Sequence, residues 1–178
     1  MATLGNANVL PIPSRVNNCR AYLNGMLLTG MVDIQLPKLE AVTDTLKGAG
    51  IAGEIEVPIL GHYKAMTTTI KFHLPTTEQL IMAMPIGSTL IVRSANQSYD
   101  AMTGGLIIQP FMAAMRGTAK ITDPGKVSPG ESADASTELS IVYYLLTVNN
   151  QTMAEIDPIN MKCVINGVDY LAAVRAAI

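Results

Sequence analysis

At 178 residues the chain has the length of one domain and can bury a substantial core. Hydrophobic residues make up 49% of it and charged residues 15%, against roughly 25% charge in an ordinary soluble domain, so much of its surface is expected to lie against copies of itself. A net charge of −2 argues against a protein that grips nucleic acid through clustered Lys and Arg, and no stretch reaches the roughly 20 apolar residues that span a bilayer.

Residues 1–20 are polar and broken by Pro11 and Pro13, which predicts an extended arm. The start, MATLGNANVLPIPSR, has neither a charged beginning nor an apolar run, so it is read as carrying no signal peptide. Asn24-Gly25 between apolar flanks predicts a hairpin. From Val32 the polarity alternates, with Val32, Ile34 and Leu36 on one face and Asp33 and Gln35 on the other. Glu54–Val57 alternates as cleanly, and so does Met66–Leu74, with Met66, Thr68, Ile70, Phe72 and Leu74 opposite Thr67, Thr69, Lys71 and His73. All three read as half-buried strands.

Residues 76–84 predict a short helix with a Thr cap, stopped before Pro85. Thr89–Val92 and Gly105–Thr122 are further strands, the second interrupted by Pro110, and 123–136 is a Pro/Gly/Ser-rich loop. Thr137–Val148 is expected to be the longest strand, with Ile141–Leu146 apolar on both faces and hence central or covered. A closing helix is predicted with Asn166 as cap, Asp169 near its positive end, Arg175 in its last turn and Val168, Leu171, Val174 and Ile178 as its stripe. The fold class is therefore mainly β (α+β), one domain with two short helices.

Gly48-Ala49-Gly50-Ile51-Ala52-Gly53 spells the dinucleotide fingerprint, but that chemistry needs a helix N-terminus after the glycines. A strand follows here, so the segment reads as a bent loop in which glycine frees the backbone. His62 and His73 have no partners at metal spacing, and Cys19 and Cys163 are two, far apart, and fit a reducing cytoplasm. Glu54 and Glu56 share a strand face and read as solvated carboxylates rather than a catalytic pair. Neither a catalytic constellation nor a cofactor site is expected, and the chain is not expected to be an enzyme.

Three segments carry a resemblance: Tyr143-Tyr144-x-Leu146-x-Val148, Glu155-Ile156-Asp157-Pro158-Ile159-Asn160, and Ile165-Asn166-Gly167-Val168-Asp169-x-Leu171-Ala172-x-x-Arg175. Together they resemble the C-terminal signature of phage major tail tube proteins of the contractile-tail branch, shared with R-type tail-like bacteriocins. The order of the N-terminal half agrees: the Asn24-Gly25 hairpin, Leu36-Pro37-Lys38-Leu39, then the glycine loop before a strand. The chain departs from the family around Asp44-Thr45-Leu46-Lys47, where more charge is usual.

The resemblance implies a β-sandwich or barrel-like subunit with a flanking helix and a C-terminal helix. Six copies would form a ring whose strands join between subunits into one barrel, and rings would stack into a conduit that delivers DNA, or ions or effectors, into the host cell. Implied partners are the chain itself, a tail sheath protein, and tape-measure and baseplate or terminator proteins. The place would be the virion tail, assembled in the host cytoplasm, without membrane insertion.

The glycine-rich loop, residues 43–53, is then expected to make the inter-ring contact through Thr45, Leu46, Lys47, Gly48, Gly50 and Ile51. Asp33, Gln35, Glu54, Glu56, Thr67 and Thr69 are expected in the lumen, whose wall should lack concentrated Lys or Arg so that DNA passes without being held. Glu155, Asp157, Pro158, Asn160, Asn166, Gly167, Asp169 and Arg175 are expected to be architectural. The alternatives are the tube of a related secretion or injection system, a small nucleotide-binding enzyme using Gly48–Gly53, and a monomeric β domain binding a small ligand.

Overall fold

A computed structural model describes residues 11–48, 50 and 52–178. The first ten residues of the expected arm, and Ile51 of the expected inter-ring contact, lie outside the described residues. Twelve strands and two short helices follow one another in the order β1 (Ile12–Leu23), β2 (Met26–Leu27), β3 (Met31–Gln35), β4 (Ala41–Leu46), β5 (Ile55–Tyr63), β6 (Met66–Phe72), α1 (Thr77–Met82), β7 (Ser88–Tyr99), β8 (Leu106–Asp123), β9 (Ala135–Val148), β10 (Gln151–Asp157), β11 (Lys162–Ile165), β12 (Val168–Asp169) and α2 (Ala172–Ala177). The mainly β expectation holds, and every pairing is antiparallel.

The main sheet runs β12-β11-β10-β9-β8-β7-β1-β2, and it branches at β9. The first half of β9 pairs with β6 (Met66↔Ile141 to Phe72↔Ala135), and its second half pairs with β10 (Ile156↔Tyr144 to Gln151↔Val148). Strand β3 adds to the outside of β6. The branch folds β10 and β11 back over the apolar face of the sheet. Ile156 and Cys163 thereby join Ile70, Phe72, Leu90, Val92, Met115 and Leu139 in one core cluster. Burial pushes the Cys163 thiol above its ordinary pKa, as befits a small apolar core group.

Local chemistry explains the turns. Asn24 and Gly25 sit at φ 48° and 86° and turn β1 into β2, the left-handed pair that matches strand twist. Asn149 and Asn150 do the same between β9 and β10, at φ 50° and 61°. Helix α1 begins as the sequence predicts, with the Thr76 hydroxyl accepting from the Gln79 amide at 3.2 Å. The buried Gln79 side chain then donates to the carbonyls of Asp123 and Ser136, tying α1 to the end of β8 and the start of β9.

Several expectations are corrected. Residues 12–20 of the expected extended arm are extended, but as the body of β1, paired with β7. Strand β8, at 18 residues, is longer than β9, at 14, and Pro110 does not interrupt it. The Pro110 carbonyl accepts from the Asn149 amide at 2.9 Å. Its ring nitrogen points the same way, past the last residue of β9, where no ladder donor is needed. A bulge in β3 between Met31 and Asp33 leaves Val32 exposed while Ile34 and Leu36 pack on the core, and Leu74 lies beyond β6 in solvent.

The closing helix is only six residues long. Asn166 is not its cap: Asn166 and Gly167, at φ 49° and 81°, form the turn between β11 and β12. Of the predicted stripe, Leu171 is buried and Val174 packs on the core, while Val168 and Ile178 are exposed.

Candidate assembly surface and C-terminal clasp

The segment expected as a loop over 43–53 is strand as far as Leu46, and β4 with β5 makes a two-stranded sheet of its own. The register pairs Leu46 with Ile55, Thr45 with Glu56 and Asp44 with Val57. Antiparallel pairing places Leu46, Ile55 and Val57 on one face, with Asp44, and Thr43, Thr45 and Glu56 on the other. The alternation read from the sequence is therefore real, but the expectation that Glu54–Val57 is half-buried is corrected. Leu46, Ile55, Val57 and Ile59 are 54%, 49%, 43% and 44% exposed, so none of the described residues covers the apolar face.

At the tip, Lys47 pairs with Glu54 at 2.6 Å, and Gly50 and Gly53 take φ 94° and 144°. A strand stands on both sides of the glycines, so the helix N-terminus that a pyrophosphate site requires does not follow them. At the base, Gly61 (φ 70°) runs against α2. A Cβ there would stand 2.6 Å from Leu171 Cγ, so only glycine lets the hairpin root against the C-terminal elements. The sequence reading missed Gly61, whose role depends on a contact 110 residues away.

Of the residues expected in a lumen, four come together. Asp33 pairs across the sheet with Lys71, and Gln35 with Thr69. Thr67 and Thr69 face Ser140 and Glu138 of β9. All lie on the sheet face turned away from the core, where Asp33–Lys71 (3.4 Å) and Glu138–Lys120 (3.0 Å) neutralise one another. Gln35, Thr67 and Thr69, with Lys38, Glu40 and Lys64, line a polar pocket of about 240 Å³. Glu54 and Glu56 are not there; they belong to the polar face of the hairpin.

The C-terminal residues form a clasp. Tyr143 Oη donates to Glu155 Oε1 at 3.2 Å, and Glu155 Oε2 pairs with Lys162 Nζ at 2.8 Å. Asp157 accepts from the Asn160 amide (3.1 Å) and Asn160 Nδ2 (2.6 Å), closing a turn in which the Met161 amide donates to the Pro158 carbonyl. Arg175 then reaches back from α2. Its guanidinium pairs with Asp169 Oδ2 at 2.6 Å and donates to the Met161 carbonyl at 2.7 Å, while the Leu171 amide donates to Asp169 Oδ1 at 3.0 Å. One side chain thus fastens α2 to both neighbouring turns.

The Arg175 guanidinium holds the Asp169 carboxyl below its ordinary pKa. Burial pushes the Asp157 carboxyl up, but its bonds from Asn160 outweigh this and leave it lowered as well. Carboxyls lowered in the folded state stabilise it fully above the unfolded value of about 3.9, and that share is lost as pH falls through their folded values. Arg175→Ala is therefore expected to lower the thermal midpoint by a few degrees at pH 7. It is expected to matter much less at pH 2.5, which calorimetry at the two pH values checks.

Among the described residues, two of the open edges of the main sheet are those of β3, which pairs only with β6, and of β1 below Ala21, which pairs only with β7. An open edge is an invitation to another chain. An uncovered apolar hairpin, two open edges and a polar sheet face are features of a part made for assembly, and the known proteins that this chain resembles agree. The tail tube protein of Escherichia phage P2 is 25% identical over 166 residues, covering 91% of this chain and 95% of that protein. The major tail tube protein of Serratia phage KSP20 is 22% identical over 152 residues, covering 85% and 86%. The family described as phage tail tube protein FII matches residues 13–178, nearly the whole chain and all of its clasp, and the chain belongs to that family of phage tail structural proteins.

Proposed function

We propose that six copies of this chain close into a ring, and that stacked rings form the inner tube of a contractile phage tail, the conduit for DNA into the host. The observation that carries the reading is the β4–β5 hairpin, whose apolar face of Leu46, Ile55 and Val57 has no cover among the described residues. Covering such a face on a neighbouring copy gains about 2 kcal/mol per large side chain. The open edges of β1 and β3 supply the lateral joint: pairing around a closed ring removes every free edge. The contractile branch is supported by the Tyr143–Arg175 signature, and with it come a sheath protein outside the tube and tape-measure and baseplate or terminator proteins at its ends.

In this arrangement Thr45, Leu46, Lys47, Gly48, Gly50 and Ile51 sit at the inter-ring contact. The sheet face bearing Asp33, Gln35, Thr67 and Thr69 turns to the lumen. Glu54 and Glu56 join that lining where the polar face of the hairpin meets the channel. Cysteines introduced at Asp33, Thr67 and Thr69 are expected to react in assembled tubes with a small maleimide and to be shielded from a large polymer-linked one. Equal reaction with both, as on an outer surface, would overturn the orientation.

A further inference from the structure

The sheet face assigned to the lumen is not neutral along its whole width. Of the chain's seven lysines, six are paired with carboxylates within the subunit. Of its five arginines only Arg175 is so paired among the described residues. The other four, Arg15, Arg20, Arg93 and Arg116, are all exposed. They also share one face. Arg15 stands opposite Gln97, Arg20 opposite Arg93 and Thr89 opposite Arg116, and alternation along β7 puts residues 89, 93 and 97 on the same side.

The register from β8 through β9 to β6 carries that side to Thr118, Ser140 and Thr67, so it is the face that bears the proposed lining. If this face lines the lumen, the wall carries arginines where one without concentrated Lys or Arg was expected. The four arginines are far apart in the sequence, and only the strand register gathers them.

The Arg20–Arg93 pair is informative because like charges placed directly across two strands destabilise a sheet. Among the described residues no carboxylate pairs with either side chain. The two side chains border an open pocket of about 400 Å³ whose remaining walls include Asn18, Tyr22 and Ile108. Arg93 lies over the Tyr22 ring at 6.0 Å and Arg116 over Tyr143 at 4.3 Å, so an aromatic face lies beside each guanidinium, and Arg116 also helps to lower the Asp157 carboxyl. Guanidinium forks set around an open pocket fit oxyanions bidentately.

We propose that these arginines form a girdle of fixed counter-charge for the phosphate backbone of DNA inside the tube. The inference rests on the proposed lumen orientation and deepens it: DNA in the conduit is held weakly, by charge and without regard to sequence, rather than sliding past a neutral wall. A strand drawn into a narrow protein channel gives up part of its counterion atmosphere, and arginines in the wall replace it. Repetition by six copies makes the girdle a ring of shallow, equivalent seats, which retains a polyanion without fixing its register.

The test uses tubes assembled from the full chain and a short labelled DNA duplex, with nuclease protection marking DNA that is inside. Wild-type tubes are expected to protect the duplex at 50 mM salt and to lose it steeply by 200 mM. Tubes of Arg20→Gln with Arg93→Gln are expected to form normally and to protect at least tenfold less. The same variant is expected to raise the thermal midpoint of the free subunit, since the like-charge pair is relieved, a combination that loss of packing would not give. Equal protection by wild-type and variant tubes, or protection unchanged between 50 and 200 mM salt, would overturn the proposal while leaving the tube itself intact. Absence of tubes in wild type would instead overturn the reading on which it rests.

Discussion

Leu46→Asp combined with Val57→Asp is expected to yield a folded subunit that no longer forms tubes. The two side chains are 54% and 43% exposed and take no part in the core cluster, so the free subunit loses almost nothing. Its thermal midpoint should stay within a degree or two of wild type. In the proposed tube the same positions would be covered by another copy, and each substitution would remove about 2 kcal/mol of apolar burial and add a carboxylate that must be desolvated. A loss of that size raises the concentration needed for assembly more than tenfold per residue. Sedimentation of the purified variant across a concentration series measures both: unchanged secondary structure, and no pelleting polymer at concentrations where wild type pellets. Deleting residues 45–50 should act in the same direction.

The second large effect lies in the core. Gly117→Val is expected to leave no folded subunit. Gly117 is buried on β8 at the point where the ladder to β9 slips, with Arg116 opposite Tyr143 but Gly117 opposite Ile141. The bulge brings the β9 backbone so near that a Cβ on residue 117 would stand 2.0 Å from the Ser140 carbonyl oxygen and 2.9 Å from its carbon. The obstacle is backbone in the centre of the sheet, so it cannot swing aside as a side-chain tip could. Even Gly117→Ala should cost on the order of 3 kcal/mol or more, a large share of a domain's stability. Urea unfolding of the alanine variant and soluble yield of the valine variant are the measurements. A near-normal midpoint for either would show that β8 and β9 can move apart.

Legibility from the sequence followed the range of the interactions. Where neighbours in the chain decide, the reading held: the Asn24-Gly25 turn, the Thr76 cap and the alternation of Met66–Phe72 rest on contacts a few residues apart. Where a distant partner decides, it did not. The Asn166-Gly167 pair was read as a helix entry because Leu171 and Val174 continue a helical spacing, yet pairing of Ile165 with Val168 makes it a hairpin turn. Pro110 looked like a break because its harmlessness depends on where β9 ends.

The hairpin shows the same limit at the level of assembly. Alternation separates Ile55 and Val57 from Glu54 and Glu56 correctly, but the inference that an apolar face must be buried within its own chain fails here, where that face is exposed on the single subunit. The four unpaired arginines carried no local signal at all. Only strand register sets them on one face, and only the ion-pair pattern shows that the lysines are paired while they are not.

Self-assembly into a tube is tested most directly by electron microscopy of the purified chain in negative stain. Stacked rings of six-fold symmetry with an open central channel, lengthening as concentration rises, are the expected result. Discrete featureless particles at every concentration, with the chain folded and soluble, would contradict it.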